Sequence, residues 1–178
     1  MCILISSCMD VKKAILERKS IRKYKKDVPS HDEIMEVLDA ARLAPSGTNA
    51  QPCRYKIIKD DKTKKKLKED GIAKQGFVYD APVLIVCCAD PSVYKKTALD
   101  SDNEVRAIRD LSIASSFLVL RAAELGLGTC YIGWIEKEKI KQTLGIPNNF
   151  VVPFIITLGY PDEIKEATLK KPLDEIIF

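Results

Sequence analysis

The sequence has few residues of the kinds that carry acid–base or metal chemistry. Its 178 residues include one histidine, His31, which follows a residue suited to cap a helix and is therefore expected at the surface. His31 and the cysteines do not show the spacing of a metal site, so no metal is expected. No nucleophile beside a base and no pair of carboxylates is recognisable. The side chains are therefore not expected to supply a general acid, a general base or a nucleophile.

Long apolar runs are also missing. None approaches the roughly 20 residues that a membrane-spanning helix requires, so no membrane partner is expected. Residues 1–8 are apolar, but they lack a basic region and are too short for a signal peptide. We predict a flexible N-terminal extension over residues 1–9 and a single domain over residues 10–178.

A glycine-rich phosphate loop and a nucleic-acid-binding patch are absent as well. Gly126-Leu127-Gly128 matches neither a dinucleotide fingerprint nor a P-loop. The net charge is +4, but basic residues are interspersed with acids, and the densest run, residues 62–68, lacks aromatic residues to stack on bases. This run is predicted to be a solvated helix face, and nucleic acid is not an expected partner.

The composition is typical of a globular protein with a sizeable core, because 46% of the residues are hydrophobic and 30% are charged. Six cysteines without framework spacing, including Cys87-Cys88 in an apolar run, predict buried thiols in a reducing cytoplasm. Strands are predicted over 54–59, 82–89, 129–134 and 151–158, with helices around them.

The longest predicted helix covers residues 103–125. Its second half is apolar almost all round, which is typical of a helix in the core or in a subunit interface. The apolar C-terminus, Ile176-Ile177-Phe178, is expected to dock on a sheet edge or on a neighbouring chain.

A short polar loop, residues 44–52, lies between a predicted helix and a predicted strand. Pro45 and Pro52 stiffen its ends, and Gly47 permits backbone conformations that other residues avoid. Several side chains in it can form hydrogen bonds: Ser46, Thr48, Asn49 and Gln51. Such a loop suits a planar, polar ligand, and by itself it is equally compatible with an ordinary helix-to-strand turn.

Two groups of basic residues could bind one phosphate. Arg18, Lys19 and Arg22 follow the first predicted helix, and Lys170 and Lys171 lie near the C-terminus. Charge-assisted hydrogen bonds, above all from guanidinium groups, suit a phosphate. Either group alone is better explained as ordinary surface charge, because exposed lysine and arginine residues are common.

Four segments together resemble the signature segments of the nitroreductase family of FMN-dependent oxidoreductases. In chain order they are residues 17–24, 44–52, 126–133 and 171–175. The resemblance implies an α+β fold in which helices flank a central mixed β-sheet. It also implies a homodimer with FMN at the interface and a C-terminal arm on the partner.

The same resemblance implies a set of FMN-binding residues. Around the phosphate and the ribityl chain these are Arg18, Lys19, Ser20, Lys170 and Lys171, and Arg22 is near the N1/O2 edge of the flavin. The loop contributes Pro45, Ser46, Gly47, Asn49 and Gln51 from the other subunit, and the segment along the ring contributes Tyr131, Ile132 and Gly133. Many larger relatives have a glutamate where Gly133 stands, so that side-chain role is absent here.

The function implied by the resemblance is hydride transfer. NADH or NADPH would reduce the flavin at N5, and a nitroaromatic, a quinone or a similar acceptor would then bind in the same place, which is a ping-pong order. Two alternatives remain open at this point. One is a non-catalytic module that binds or senses FMN, and the other is a specialised flavin reaction such as dehalogenation or flavin fragmentation.

Overall fold

A four-stranded antiparallel sheet forms the centre of the molecule, with the strand order β1-β2-β4-β3. The structure is a computed structural model and describes residues 10–95, 102–166 and 168–177. The strands are β1 (Cys53–Ile58), β2 (Val83–Ala89), β3 (Gly128–Ile132) and β4 (Val151–Gly159). The helices are α1 (Val11–Glu17), α2 (His31–Arg42), α3 (Asp61–Glu69), α4 (Phe77–Asp80), α5 (Asn103–Glu124) and α6 (Lys137–Leu144). The predicted α+β class is confirmed, whereas the predicted extension over residues 1–9 lies outside the described residues.

The direction of the strands differs in one respect from the mixed sheet that the resemblance implied. All three strand pairs are antiparallel, and the parallel pairing among the described residues is the isolated bridge between Ser20 and Thr129. The chain runs beside β3 only briefly there, because Tyr24 already pairs in the antiparallel sense with Pro161. This contact is too short to become a fifth, parallel strand.

Strand β2 is buried on both faces, as its continuous apolar sequence predicted. Because successive side chains of a strand point to opposite faces, Ile85 contributes to the core beneath α2 and α5. Leu84 and Val86 contribute to a second core that includes Leu67 of α3 and Ile140 of α6. The sheet is therefore covered by helices on both sides.

Helix α5 begins at a cap, because the Asp102 carboxylate accepts hydrogen bonds from the N–H groups of Glu104 and Val105. Its buried face packs on the sheet and on α2, while Phe117 on another face is 43% exposed. Ile113, one turn earlier, and Ile15 and Leu16 of α1 are also exposed. Apolar residues therefore continue outside the core on α5 and on α1, which packs against it.

The C-terminal residues 168–177 are exposed throughout, including Leu173, Ile176 and Ile177. These residues do not dock on the sheet of their own chain. The prediction that the tail docks on a sheet edge of its own chain is therefore wrong. Docking on a neighbouring chain stays a prediction.

Three of the cysteines in the described ranges, Cys87, Cys88 and Cys130, are buried and unpaired, and Cys53 is half-buried. In the same parts of the chain, no helix combines the length and the apolarity needed to cross a bilayer.

Candidate functional site

Basic side chains surround a cavity of about 450 Å³ next to the end of α1. The chain turns after Glu17, and Arg18, Lys19, Ser20 and Arg22 form one side of the cavity. Lys165 and Lys170, from the segment after β4, contribute to the other side. The structure thus brings together all three residues of the first predicted basic group, together with Ser20, and one residue of the second group.

The 18–22 segment is fixed against β3 by backbone contact. The N–H group of Ile21 donates a hydrogen bond of 2.9 Å to the carbonyl oxygen of Thr129. A Cβ atom on Gly128 would lie only 2.8 Å from the Cβ atom of Ile21. The absence of a side chain at Gly128 therefore allows the basic segment to lie directly on the strand.

Gly128→Ala should lower the stability of the protein, since the Cβ atom of Ile21 is attached to the backbone and cannot rotate away. We expect a loss of about 1–3 kcal/mol, typical of overpacking. Thermal unfolding would show this as a fall of about 2–4 °C per kcal/mol. Gly76→Ala is the matched control, because a Cβ atom there meets no atom within 4 Å. Equal midpoints for the two variants would contradict the close contact.

Three hydrogen bonds connect the segment after β4 with the segment that follows α1. The Glu163 carboxylate accepts hydrogen bonds from the N–H groups of Arg22 at 2.6 Å and of Lys23 at 3.2 Å. These N–H groups, that of Arg22 first, hold the pKa of Glu163 below its usual value. In addition, Lys19 Nζ donates to the carbonyl oxygen of Lys165 at 2.6 Å. The tail segment is therefore held beside the basic cavity.

The two C-terminal lysines differ in position. Lys170 lines the cavity, whereas Lys171 does not and instead forms an ion pair with Glu175 at 3.4 Å. Of the predicted pair, Lys170 is therefore the residue that lies where it could contact a ligand in this cavity.

The three residues predicted to lie along the flavin ring have different environments at the end of β3: Tyr131, Ile132 and Gly133. Tyr131 is 39% exposed and lies beside Ser116 of α5. Burial raises the pKa of the Tyr131 hydroxyl to about 12. The positive charge of Arg18 is near enough to lower the pKa of this hydroxyl slightly. Ile132 is only 2% exposed and packs in the core, so its side chain is not available to a ligand. Gly133 is exposed and has open space where a side chain would be.

The polar loop has an unusual backbone. Thr48, Asn49 and Gln51 have φ values of 54°, 55° and 51°, in the left-handed region. Each such non-glycine residue costs on the order of 1 kcal/mol. Gly47, which the sequence suggested for this role, has no positive φ. The strain is therefore carried by neighbours of the glycine.

Hydrogen bonds hold the loop in this form. The N–H group of Gln51 donates to Ser46 Oγ at 3.0 Å, and Arg54 donates to the carbonyl oxygen of Gln51 at 2.9 Å. The N–H group of Gly47 donates to Asp110 Oδ2 at 2.7 Å. Pro45, Ser46 and Gln51 line a second cavity, of about 410 Å³.

The basic cavity and the loop cavity have no lining residue in common among the described residues. Within one chain, the two halves of the predicted site therefore form separate cavities.

Four residues that line these cavities, or that hold the lining segments in place by hydrogen bonds, were not predicted from the sequence. Lys165 and Glu163 carry no signal that separates them from other charged residues. Asp110 could have been noticed, because it is a carboxylate at helical spacing among the core residues of α5. Tyr94, whose hydroxyl donates to Asp110 at 2.5 Å, lies between the strand predicted over 82–89 and the helix predicted over 103–125, where the sequence predicts no regular element.

Known proteins resemble this chain over most of its length. The model of the Nitroreductase family matches residues 15–73 and 70–160. A protein named NADH dehydrogenase, from Thermus thermophilus, is 31% identical over 196 residues, covering 95% of each chain. A protein of Archaeoglobus fulgidus named putative NADH dehydrogenase/NAD(P)H nitroreductase is 35% identical over 158 residues, covering 86% of this chain and 87% of that one.

A solved structure has the same fold. It is described as an FMN-dependent nitroreductase from Clostridium difficile R20291, is 31% identical, and has a TM-score of 0.74 over 88% of this chain and 90% of its own. The resemblance seen in the four sequence segments is thus confirmed by independent comparison. This chain belongs to the nitroreductase family.

Proposed function

We propose that this chain is an FMN-dependent oxidoreductase that transfers electrons from NADH or NADPH to a small-molecule acceptor such as a nitroaromatic or a quinone. The observation that carries the proposal is the cavity in which Arg18, Lys19, Arg22, Lys165 and Lys170 converge. Its donors fit a phosphate, because guanidinium and ammonium groups form charge-assisted hydrogen bonds with phosphate oxygens. The names of the relatives described above point to the same chemistry.

The residues of the chain would bind and orient the cofactor. Arg18, Lys19, Ser20 and Lys170 would hold the phosphate, and Arg22 would place a positive charge at the flavin edge that gains negative charge on reduction. Ser46, Asn49 and Gln51 would offer polar groups to the ring and the ribityl chain. The chemistry that FMN would supply when bound by these residues is redox chemistry, namely hydride acceptance from the nicotinamide and electron transfer to the acceptor.

The proposed active form is a homodimer. The loop of one chain and the basic cavity of another would complete each site, which accords with the separation of the two cavities within one chain. Apolar surface on α1 and α5 offers area for such an interface, and the exposed tail offers an arm. We place this protein in the cytoplasm, in keeping with its free thiols.

The kinetic order is proposed to be ping-pong, with the nicotinamide leaving before the acceptor binds. Within the same fold, a non-catalytic FMN-binding module and a specialised reaction, such as dehalogenation or flavin fragmentation, are the alternatives. Specialised flavin reactions usually need dedicated lid residues, and the sequence of residues 91–103 contains no recognisable set of them. Hydride transfer to a small acceptor therefore ranks first.

The visible spectrum of the purified protein tests the proposal. We expect a yellow protein whose flavin absorption bleaches with NADH or NADPH under anaerobic conditions and returns when a quinone or a nitroaromatic is added. Parallel lines in double-reciprocal plots would support the ping-pong order. Bound FMN that neither nicotinamide bleaches would favour the binding module, and a protein that stays colourless with added FMN would overturn the proposal.

A further inference from the structure

A buried carboxylate lies beneath the polar loop. Asp110 of α5 is 2% exposed, and its Oδ2 atom accepts hydrogen bonds from the N–H group of Gly47 at 2.7 Å and from the hydroxyl group of Tyr94 at 2.5 Å. Its Oδ1 atom lies 3.5 Å from Arg109 Nε. A buried carboxylate is tolerated only when it is hydrogen-bonded, and here one oxygen atom connects the loop with Tyr94.

The loop needs such a connection because its backbone is strained. The left-handed residues begin at Thr48, directly after Gly47. Sparsely populated backbone conformations persist only where the surrounding structure fixes them. The bond from Gly47 to Asp110 fixes the start of the strained stretch to the longest helix of the described chain.

Tyr94 is itself fixed by α5. Asn103 Nδ2 donates to the carbonyl oxygen of Tyr94 at 3.1 Å, and the Arg106 guanidinium lies 4.3 Å from the centre of the Tyr94 ring. Asn103, Arg106 and Asp110 are spaced three and four residues apart, so they share one face of the helix. Burial, followed by the Asp110 carboxylate, raises the pKa of the Tyr94 hydroxyl, which therefore remains a hydrogen-bond donor at neutral pH.

We propose that Asp110 and Tyr94 are positioning residues for FMN: they hold the 45–51 loop in the conformation that receives the flavin. This inference rests on the proposed function. Neither side chain is required to touch the cofactor. Asp110 acts through the N–H group of Gly47, and Tyr94 acts through Asp110 by holding its shared oxygen in place.

The test uses the full-length protein with Asp110→Asn and Tyr94→Phe. The dissociation constant for FMN is measured by quenching of flavin fluorescence, and hydrogen exchange of the loop amides is measured in the FMN-free protein. Asp110→Asn is expected to weaken FMN binding about tenfold, and Tyr94→Phe about three- to tenfold, in keeping with the loss of one hydrogen bond. Loop amides should exchange faster in both variants. In the double variant the two effects should not add, because Tyr94 acts through Asp110.

Tyr160→Phe is the matched control. The Tyr160 hydroxyl also donates to a carboxylate, that of Glu33 at 2.9 Å, but Tyr160 lines neither the basic cavity nor the loop cavity. This variant removes the same hydroxyl group from a tyrosine–carboxylate pair, and the FMN dissociation constant and the loop exchange should stay unchanged.

The outcomes separate the two proposals. If the wild-type protein binds FMN but Asp110→Asn and Tyr94→Phe match it in affinity and exchange, the positioning role is overturned and the proposed function stands. A wild-type protein that binds no FMN would overturn both. Should Asp110→Asn fail to fold, Tyr94→Phe decides the question alone, because it removes a single oxygen atom.

Discussion

Replacing Phe117 with aspartate is expected to leave the protein monomeric and without FMN. Phe117 is 43% exposed on α5, one turn after the exposed Ile113, and the exposed residues Ile15 and Leu16 lie on α1, which packs against α5. In the proposed dimer this apolar surface is buried, so the variant would lose the aromatic contact and bury a charge in its place. We expect the dimer to weaken about a thousandfold or more, which corresponds to about 4 kcal/mol.

Sedimentation velocity and the visible spectrum measure this result. Lys66→Asp is the control, because it also places an aspartate on an exposed helix face, that of the lysine-rich α3. It should sediment as the wild type does and keep its FMN. A Phe117→Asp protein that remains dimeric would show that the interface lies elsewhere. A Phe117→Asp protein that is monomeric but still binds FMN would show that a single chain forms the complete site.

Arg18→Ala is expected to weaken FMN binding about 10- to 100-fold. Arg18 is half-buried beside the basic cavity, where a guanidinium would make charge-assisted hydrogen bonds to a phosphate. Each such bond is worth about 1.5–3 kcal/mol. Arg18→Lys should recover part of the affinity, since it restores the charge but not the two-point geometry.

Titration of FMN into the variant proteins, at two salt concentrations, measures this effect. Lys23→Ala is the control, because Lys23 is one residue from Arg22 but pairs with Asp162 at 3.3 Å and does not line the cavity. If Lys23→Ala weakens binding as much as Arg18→Ala does, general charge attraction is responsible rather than a specific ligand.

Much of the fold could be predicted from the sequence because local patterns and tertiary structure agree. The continuous apolar run of β2 requires burial on both faces, and the observed strand has it. The capping box of Ser30 and Glu33 forms as its spacing suggests, with hydrogen bonds of 3.2 and 2.8 Å. For α5 the predicted span ends within one residue of the observed Asn103–Glu124.

The site was less predictable because tertiary contacts determine it. Gly47 was the natural candidate for a left-handed conformation, yet the strain falls on Thr48, Asn49 and Gln51, because Gly47 is held by a carboxylate 63 residues away in the chain. Lys165 is one of 29 basic residues, and only the path of the chain after β4 brings it to the cavity. The choice between Lys170 and Lys171 also depends on geometry that the sequence does not contain.

Strand β1 stands at one edge of the sheet, with β2 on its inner side. The exposed apolar residues Leu173, Ile176 and Ile177 follow near the end of the same chain. An exposed edge strand can pair with another chain. A protein that is folded only, or mainly, as an oligomer becomes more stable as its concentration rises, by mass action. For the proposed homodimer, the temperature at which this protein unfolds should therefore rise as its concentration rises.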